Sequence, residues 1–268
     1  MVCAAVAVLA TRGAGQAADL PNRDTFLREV RESLSRSQQV WHRYAYKERR
    51  TELHTNPFGR LGTGDTLVTE VRPASDPRLT YRRVLERNGV ALSQAELDRQ
   101  DAAYRSKIAR LAREDVSQDA ARMLRDEQLA RQRAQIMFDD VVNTLQFDLV
   151  RREFLDGKPA IVVSFAAKPH ARPVTKEGRL ARVFTGSLWF DEVSRELTHL
   201  NAVATDDVSF GGFVAKVYKG TEAFVKRDQV EPGVWMPTKL TLSGEFRALF
   251  RRARIDHAVE WFDYRLNP

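Results

Sequence analysis

The sequence predicts an α+β fold: a mainly antiparallel β protein that carries a helical insertion. Three observations predict it. Short alternating apolar runs recur between turn residues over most of the chain. One stretch from Ser93 to about Leu145 lacks Gly and Pro and is built of good helix formers. The last third is a meander of strand-length runs, and such a meander normally closes into a barrel or curls strongly.

The first element is a targeting signal. Val2 to Ala10 is an apolar run far shorter than the about 20 residues a membrane-spanning helix needs. Small residues follow and end at Gly15-Gln16-Ala17, so residues 1–17 read as a signal peptide cleaved after Ala17. No Lys or Arg precedes the run, and the expectation is of a truncated signal. Cys3, the single cysteine, lies within it, so the expected mature chain has neither a disulfide framework nor a Cys-ligated metal. Residues 18–268 are expected to form one domain, periplasmic, and soluble or peripheral to the membrane.

The formal net charge of the 268 residues is +7, but Lys and Arg are interspersed with Asp and Glu, which reads as a solvated surface and argues against nucleic acid. Asp24 to Gln39 reads as a helix with Phe26, Leu27, Val30 and Leu34 on one face and Asp24 as N-cap. Strands follow: one over Trp41 to Leu53, one through Leu67, Thr69 and Val71, and one through Leu79, Tyr81, Arg83 and Leu85. Asn56-Pro57-Phe58-Gly59 and Asn88-Gly89 are turns.

The insertion spans 93–145. Ser93 and Glu96 have capping-box spacing, and Asp115-Val116-Ser117 divides the stretch into two helices. Leu97, Tyr104, Ile108 and Leu111 give the first helix a sparse apolar stripe, and Ile136 to Leu145 is more apolar. Strands resume at Phe147, with Asp156-Gly157 as the strongest hairpin signal. His170 to Gly178 reads as a polar loop. Further strands read as Leu180–Phe190, Glu196–Thr205, Val208–Lys226, Val234–Leu242 and Phe246–Tyr264.

No catalytic signature is present: no His-Glu-x-x-His, no phosphate loop, no Gly-x-Ser-x-Gly and no dinucleotide fingerprint. The histidines His42, His54, His170, His199 and His257 are scattered and read as isolated side chains. The pairs Asp139-Asp140 and Asp206-Asp207 read as cap or turn residues, because neighbours on a strand point to opposite faces. Arg251-Arg252-Ala253-Arg254 reads as an exposed strand face that could also meet lipid headgroups. The expectation is a protein without catalysis and without a cofactor.

Gly186-Ser187-Leu188-Trp189-Phe190-Asp191, followed by Arg195-Glu196-Leu197-Thr198, is a strand, a turn and a returning strand. It resembles the Gly-x-Leu/Ile-Trp-Ile-Asp segment of bacterial outer-membrane lipoprotein-sorting (LolA/LolB-like) proteins. The order of elements resembles that family too. The resemblance implies a strongly curved, incompletely closed antiparallel half-barrel with helices as a lid, and a cavity for acyl chains. The helical stretch 93–135 is longer and more polar than a simple lid, and no lid-locking Arg is matched.

Strand alternation alone nominates lining residues for an apolar ligand between the concave sheet face and the helices. They are Phe147 and Leu149; Ile161, Val163 and Phe165; and Phe184, Leu188 and Phe190. The first two sets flank Asp156-Gly157 and are expected to be neighbours. The alternative is plain core packing, with the helical insertion binding an envelope protein partner.

Overall fold

A computed structural model of the chain describes residues 19–55, 61–74, 76–114, 119–210, 215–248 and 251–267. The signal segment, the Asn56–Gly59 turn and the Asp115–Ser117 break lie outside these residues. Helices are α1 (Arg23–Val40), α2 (Gln94–Glu114), α3 (Asp119–Thr144) and α4 (Lys176–Ala181). Strands are β1 (Tyr44–Thr55), β2 (Leu61–Arg72), β3 (Tyr81–Arg87), β4 (Val90–Ala91), β5 (Leu145–Leu155), β6 (Lys158–Ala167) and β7 (Phe184–Asp191). They continue as β8 (Leu197–Ala204), β9 (Val208–Phe210), β10 (Ala215–Val217), β11 (Glu222–Glu231), β12 (Val234–Ala248) and β13 (Arg251–Leu266).

The 13 strands of the described residues belong to one antiparallel sheet in the order β4-β3-β2-β1-β13-β12-β11-β8-β7-β6-β5, with β9 and β10 attached beside β12. The sheet does not close into a barrel; it is a curved half-barrel with helices. Pairing of β1 with β13 joins the N-terminal hairpins to the C-terminal ones. The edges, β4 and β5, are consecutive in the chain, and α2 and α3 connect them.

Turn chemistry sets the hairpins. Asn88 (φ 52°) with Gly89 (φ 78°), and Asp156 (φ 50°) with Gly157 (φ 78°), both hold two left-handed residues in succession, the geometry that matches strand twist. At Ser93 the backbone N–H and hydroxyl both donate to the Glu96 carboxylate, and α2 starts at once. Tyr104 stacks edge-on against Tyr81, and its hydroxyl donates to the Leu79 carbonyl. Asp101 accepts from Tyr81 and pairs with Arg83 at 3.2 Å. Burial, then that hydrogen bond, pushes the Tyr81 phenol up to about 12. The Gln100 amide donates to the Val84 carbonyl (3.0 Å) and accepts from the Val84 N–H (2.8 Å), occupying the outward backbone groups of that residue at the sheet margin.

Several boundaries differ from the sequence reading. The N-cap of α1 is Asn22, whose side chain accepts from the Thr25 N–H; Asp24 sits in the first turn, where its charge suits the helix dipole. Trp41–Arg43 and Pro77–Leu79 are single 3-10 turns rather than strand. The polar loop after β6 ends in a short helix, because the Thr175 hydroxyl caps the Gly178 N–H. Asp140 clamps that loop by accepting from the Val174 and Thr175 N–H groups and the Thr175 hydroxyl, which hold its carboxyl below the usual range. Val208–Lys226 is not one run but three strands.

Ser243-Gly244 does not break the sheet; β12 runs through it. Gly244 is there because a Cβ would lie 2.8 Å from the Thr221 Cα. Gly186 is tighter still. A Cβ at that position would meet the backbone carbonyl oxygen of Asn201 and lie 2.9 Å from the Ala202 Cα. Gly186→Ala is therefore expected to destabilise the protein by about 1–3 kcal/mol or more, since backbone cannot yield as a side chain can. Urea unfolding of the variant checks it; an unchanged midpoint would show that β7 and β8 separate at little cost.

Candidate functional site

The face of the sheet under α1 is built from a register that aligns apolar residues across strands. Leu149 pairs with Val163, Val163 with Leu188, Leu188 with Leu200, Leu200 with Val225, Val225 with Leu240, and Leu240 with Val259. The result is one continuous apolar row from β5 to β13. A second row beside it runs Phe147, Phe165, Gly186, Ala202, Ala223 and Leu242, large at the ends and small in the middle.

Helix α1 packs on this face. Phe26 and Val30 insert between Ile161, Val163 and Phe190, and all five are buried. The Phe26 ring meets Phe190 edge-on, with centroids 5.9 Å apart. Of the residues nominated by alternation, Ile161, Val163 and Phe190 are thus in van der Waals contact with the helix. Phe147, Leu149 and Leu188 pack at the margin of the same cluster. Phe165 is buried beside Phe147, and Phe184 is half-buried at the start of β7. The structure gathers all eight on one face and seats α1 on three of them. Beyond the helix, Leu188, Leu200, Val225, Leu240 and Leu242 remain half-buried.

The polar half of α1 has its own seat. Ser33 and Ser37 continue the helix stripe of Phe26 and Val30, and both hydroxyls donate to the buried Glu196 carboxylate, at 2.7 and 2.5 Å. Glu196 also pairs with Arg227 at 3.0 Å, and both side chains are about 5% exposed (6% and 5%). Arg227 further donates to the carbonyls of Leu197 and Trp235 and lies over the Trp41 ring. Burial pushes the Arg227 guanidinium below its ordinary value, and Glu196 opposes that shift. Nearby, Arg195 pairs with Glu29 of α1 at 2.8 Å and lies over Phe26. Sequence reasoning missed this network. Its one local trace is the pair of serines at helical spacing within an apolar stripe.

The opposite face carries Trp189, whose indole donates to Glu153, and a groove of about 450 Å³ between Ser187, Asn201, Phe224 and Thr241. Asp206 and Asp207 take local roles: Asp206 accepts from the Asp207 N–H, and Asp207 accepts from the Lys219 N–H and pairs with Lys216. Arg252 pairs with Glu245 and lies over Tyr218. Among the described residues, no three of His, Cys, Asp and Glu are grouped to hold a metal, and no helix is long and apolar enough to cross a membrane.

No family model matches the chain, and no curated protein matches it. Among solved structures it is similar to an outer membrane lipoprotein-sorting protein domain from Vibrio parahaemolyticus, at 8% identity over 91% of this chain and 93% of that one, with a TM-score of 0.35. It is also similar to a DUF1329 family protein from Desulfovibrio piger, at 10% identity, 90% and 93% coverage and a TM-score of 0.32. A LolA superfamily protein from Nitrosomonas europaea gives 8% identity, 89% and 94% coverage and a TM-score of 0.30. Likenesses this loose carry no argument about function, which rests on the geometry of the site.

Proposed function

We propose that this protein is exported to the periplasm, processed after Ala17, and binds an apolar ligand there, a lipid or lipoprotein acyl chain, without catalysis. The observation that carries this reading is the apolar row from Leu149 to Val259, which the helix cluster meets at Val163 and which is not buried along its whole length. A filled core would be expected to bury that row throughout; its middle, Leu188 to Leu240, is half-buried instead. Each acyl methylene removed from water there contributes about 0.8 kcal/mol, so a chain needs no strong polar contact to be retained. The proposed site is this row with Phe147, Leu149, Phe165, Phe184 and Leu188 of the nominated residues; Ile161, Val163 and Phe190 are packed beneath α1, which borders it.

Native mass spectrometry of the full chain, purified without detergent from its envelope fraction, tests the reading. The expected result is a processed protein carrying a lipid-sized adduct that organic extraction removes. Protein that is free of lipid in every preparation would overturn it.

A second reading is favoured by a different observation. Leu129 (47%), Ile136 (57%) and Met137 (37%) are exposed on α3, and Leu129 and Ile136 are two helical turns apart on one face. An exposed apolar stripe of that kind suits a protein partner in the envelope. In the same spectra, a protein adduct lost on Ile136→Lys, with no lipid, would favour this second reading.

A further inference from the structure

At the end of the sheet away from the helical insertion's edge contacts, β8 is shorter than the strand it pairs with. It reaches β11 only through His199 opposite Lys226, so Arg227 to Glu231 pair on the β12 side alone. The space left beside them, bounded by the β5–β6 turn, is a notch of about 190 Å³. Lys158, Pro159, His199, Arg227 and Trp235 are among its walls. That volume is several times the about 30 Å³ one water occupies in the liquid.

Three nitrogens of these walls are buried and have no hydrogen-bond partner: Trp235 Nε1, Arg227 Nε and His199 Nδ1. Trp235 and Arg227 are each 4% exposed. An indole N–H and a guanidinium N–H can only donate, and buried donors are rarely left unmet. Lys158 lies with its ammonium 5.2 Å from the centre of the Trp235 ring and donates to Gln229, an interaction that uses one of its three N–H bonds. Burial, then the nearby Lys226, holds His199 below its ordinary value.

The acids of the notch are already engaged. Asp156 pairs with Lys226, Asp228 accepts from the Thr238 hydroxyl and meets Lys226, and Asp191 accepts from the Val193 and Ser194 N–H groups and the Ser194 hydroxyl. None of these carboxylates accepts from the Trp235 indole N–H or the Arg227 Nε–H, which are left without an acceptor. We infer that it binds a compact oxyanion, a carboxylate or phosphate group, received by the Trp235 indole N–H, the Arg227 Nε–H and the Lys158 ammonium. The inference does not depend on the apolar-ligand reading, because the notch is built from groups that reading does not use.

The test follows the indole N–H resonances of the four tryptophans in the intact protein while acetate or inorganic phosphate is added at constant ionic strength. Trp235→Phe assigns the signal; where that variant does not fold, substituting Trp41, Trp189 and Trp261 in turn assigns it by elimination. The expected result is a saturable shift of the Trp235 signal alone, with sodium chloride inert. Lys158→Gln, at an exposed position, is expected to weaken saturation about tenfold, as loss of a charge-assisted hydrogen bond does. The anion that saturates at the lower concentration identifies the group. A signal unmoved by both anions, moved equally by chloride, or saturating unchanged in Lys158→Gln would overturn the assignment; in the first case the notch holds water.

Discussion

Arg227→Met is expected to lower stability by about 3–5 kcal/mol, the cost of leaving a buried charge without its partner. Glu196 would keep the Ser33 and Ser37 hydroxyls, at 2.7 and 2.5 Å, but would lose the guanidinium paired with it. Two hydroxyls do not offset the desolvation of a carboxylate as a guanidinium does. The double variant Arg227→Met/Glu196→Leu is expected to recover a large part of the loss, because neither charge is then buried. Urea unfolding of the two single variants and the double variant gives the coupling energy directly. Because Glu196 also seats α1 through Ser33 and Ser37, limited proteolysis is expected to cut the helix faster in the double variant, which leaves both hydroxyls without that acceptor, than the stability regained would suggest. A loss below about 1 kcal/mol in the single variant would show that water reaches Glu196 and that the network does not hold the helix.

The second large effect separates packing from binding on the apolar face. Phe190→Ala removes a ring that Phe26 meets edge-on beneath α1, and is expected to cost about 3–5 kcal/mol. Leu188→Asp changes the next residue on the same face of the same strand, where the side chain is half-buried at the border of that cluster. It is expected to abolish retention of an apolar ligand while moving the thermal midpoint much less than Phe190→Ala. Thermal unfolding and native mass spectrometry of both variants make the comparison. A midpoint drop in Leu188→Asp as large as in Phe190→Ala, with no lipid ever accompanying the unmutated protein, means that Leu188 is core and the carrier reading is wrong.

What the sequence disclosed was what short-range chemistry determines. Asp156-Gly157 and Asn88-Gly89 supply left-handed residues in pairs, and the capping box at Ser93 is complete within four residues. Alternation was enough to nominate one face, and the register aligned Phe147 with Phe165 and Leu149 with Val163. The seat of α1 could not be read in that way. Ser33 lies 163 residues from Glu196, and Glu196 lies 31 from Arg227, so only the folded sheet brings them together. The interval between Leu242 and Phe246 shows the converse: the sequence reading ends one strand and starts another there, but Gly244 answers to Thr221 beside β11. The notch was invisible for a related reason, since it comes from β8 being shorter than β11 and not from any residue pattern.

The grip of Gln100 on both backbone groups of Val84 bears on how copies of this protein could associate. β4 adds a short cover where it pairs with Glu86 and Arg87. At the other margin β5 offers its full length from Leu145 to Leu155, with Phe154 77% exposed. The two margins are therefore unequal as templates for a further strand. Two copies meeting edge to edge through β5 would each cover the other's longer margin, and further growth would have to use the margin that Gln100 and β4 partly occupy.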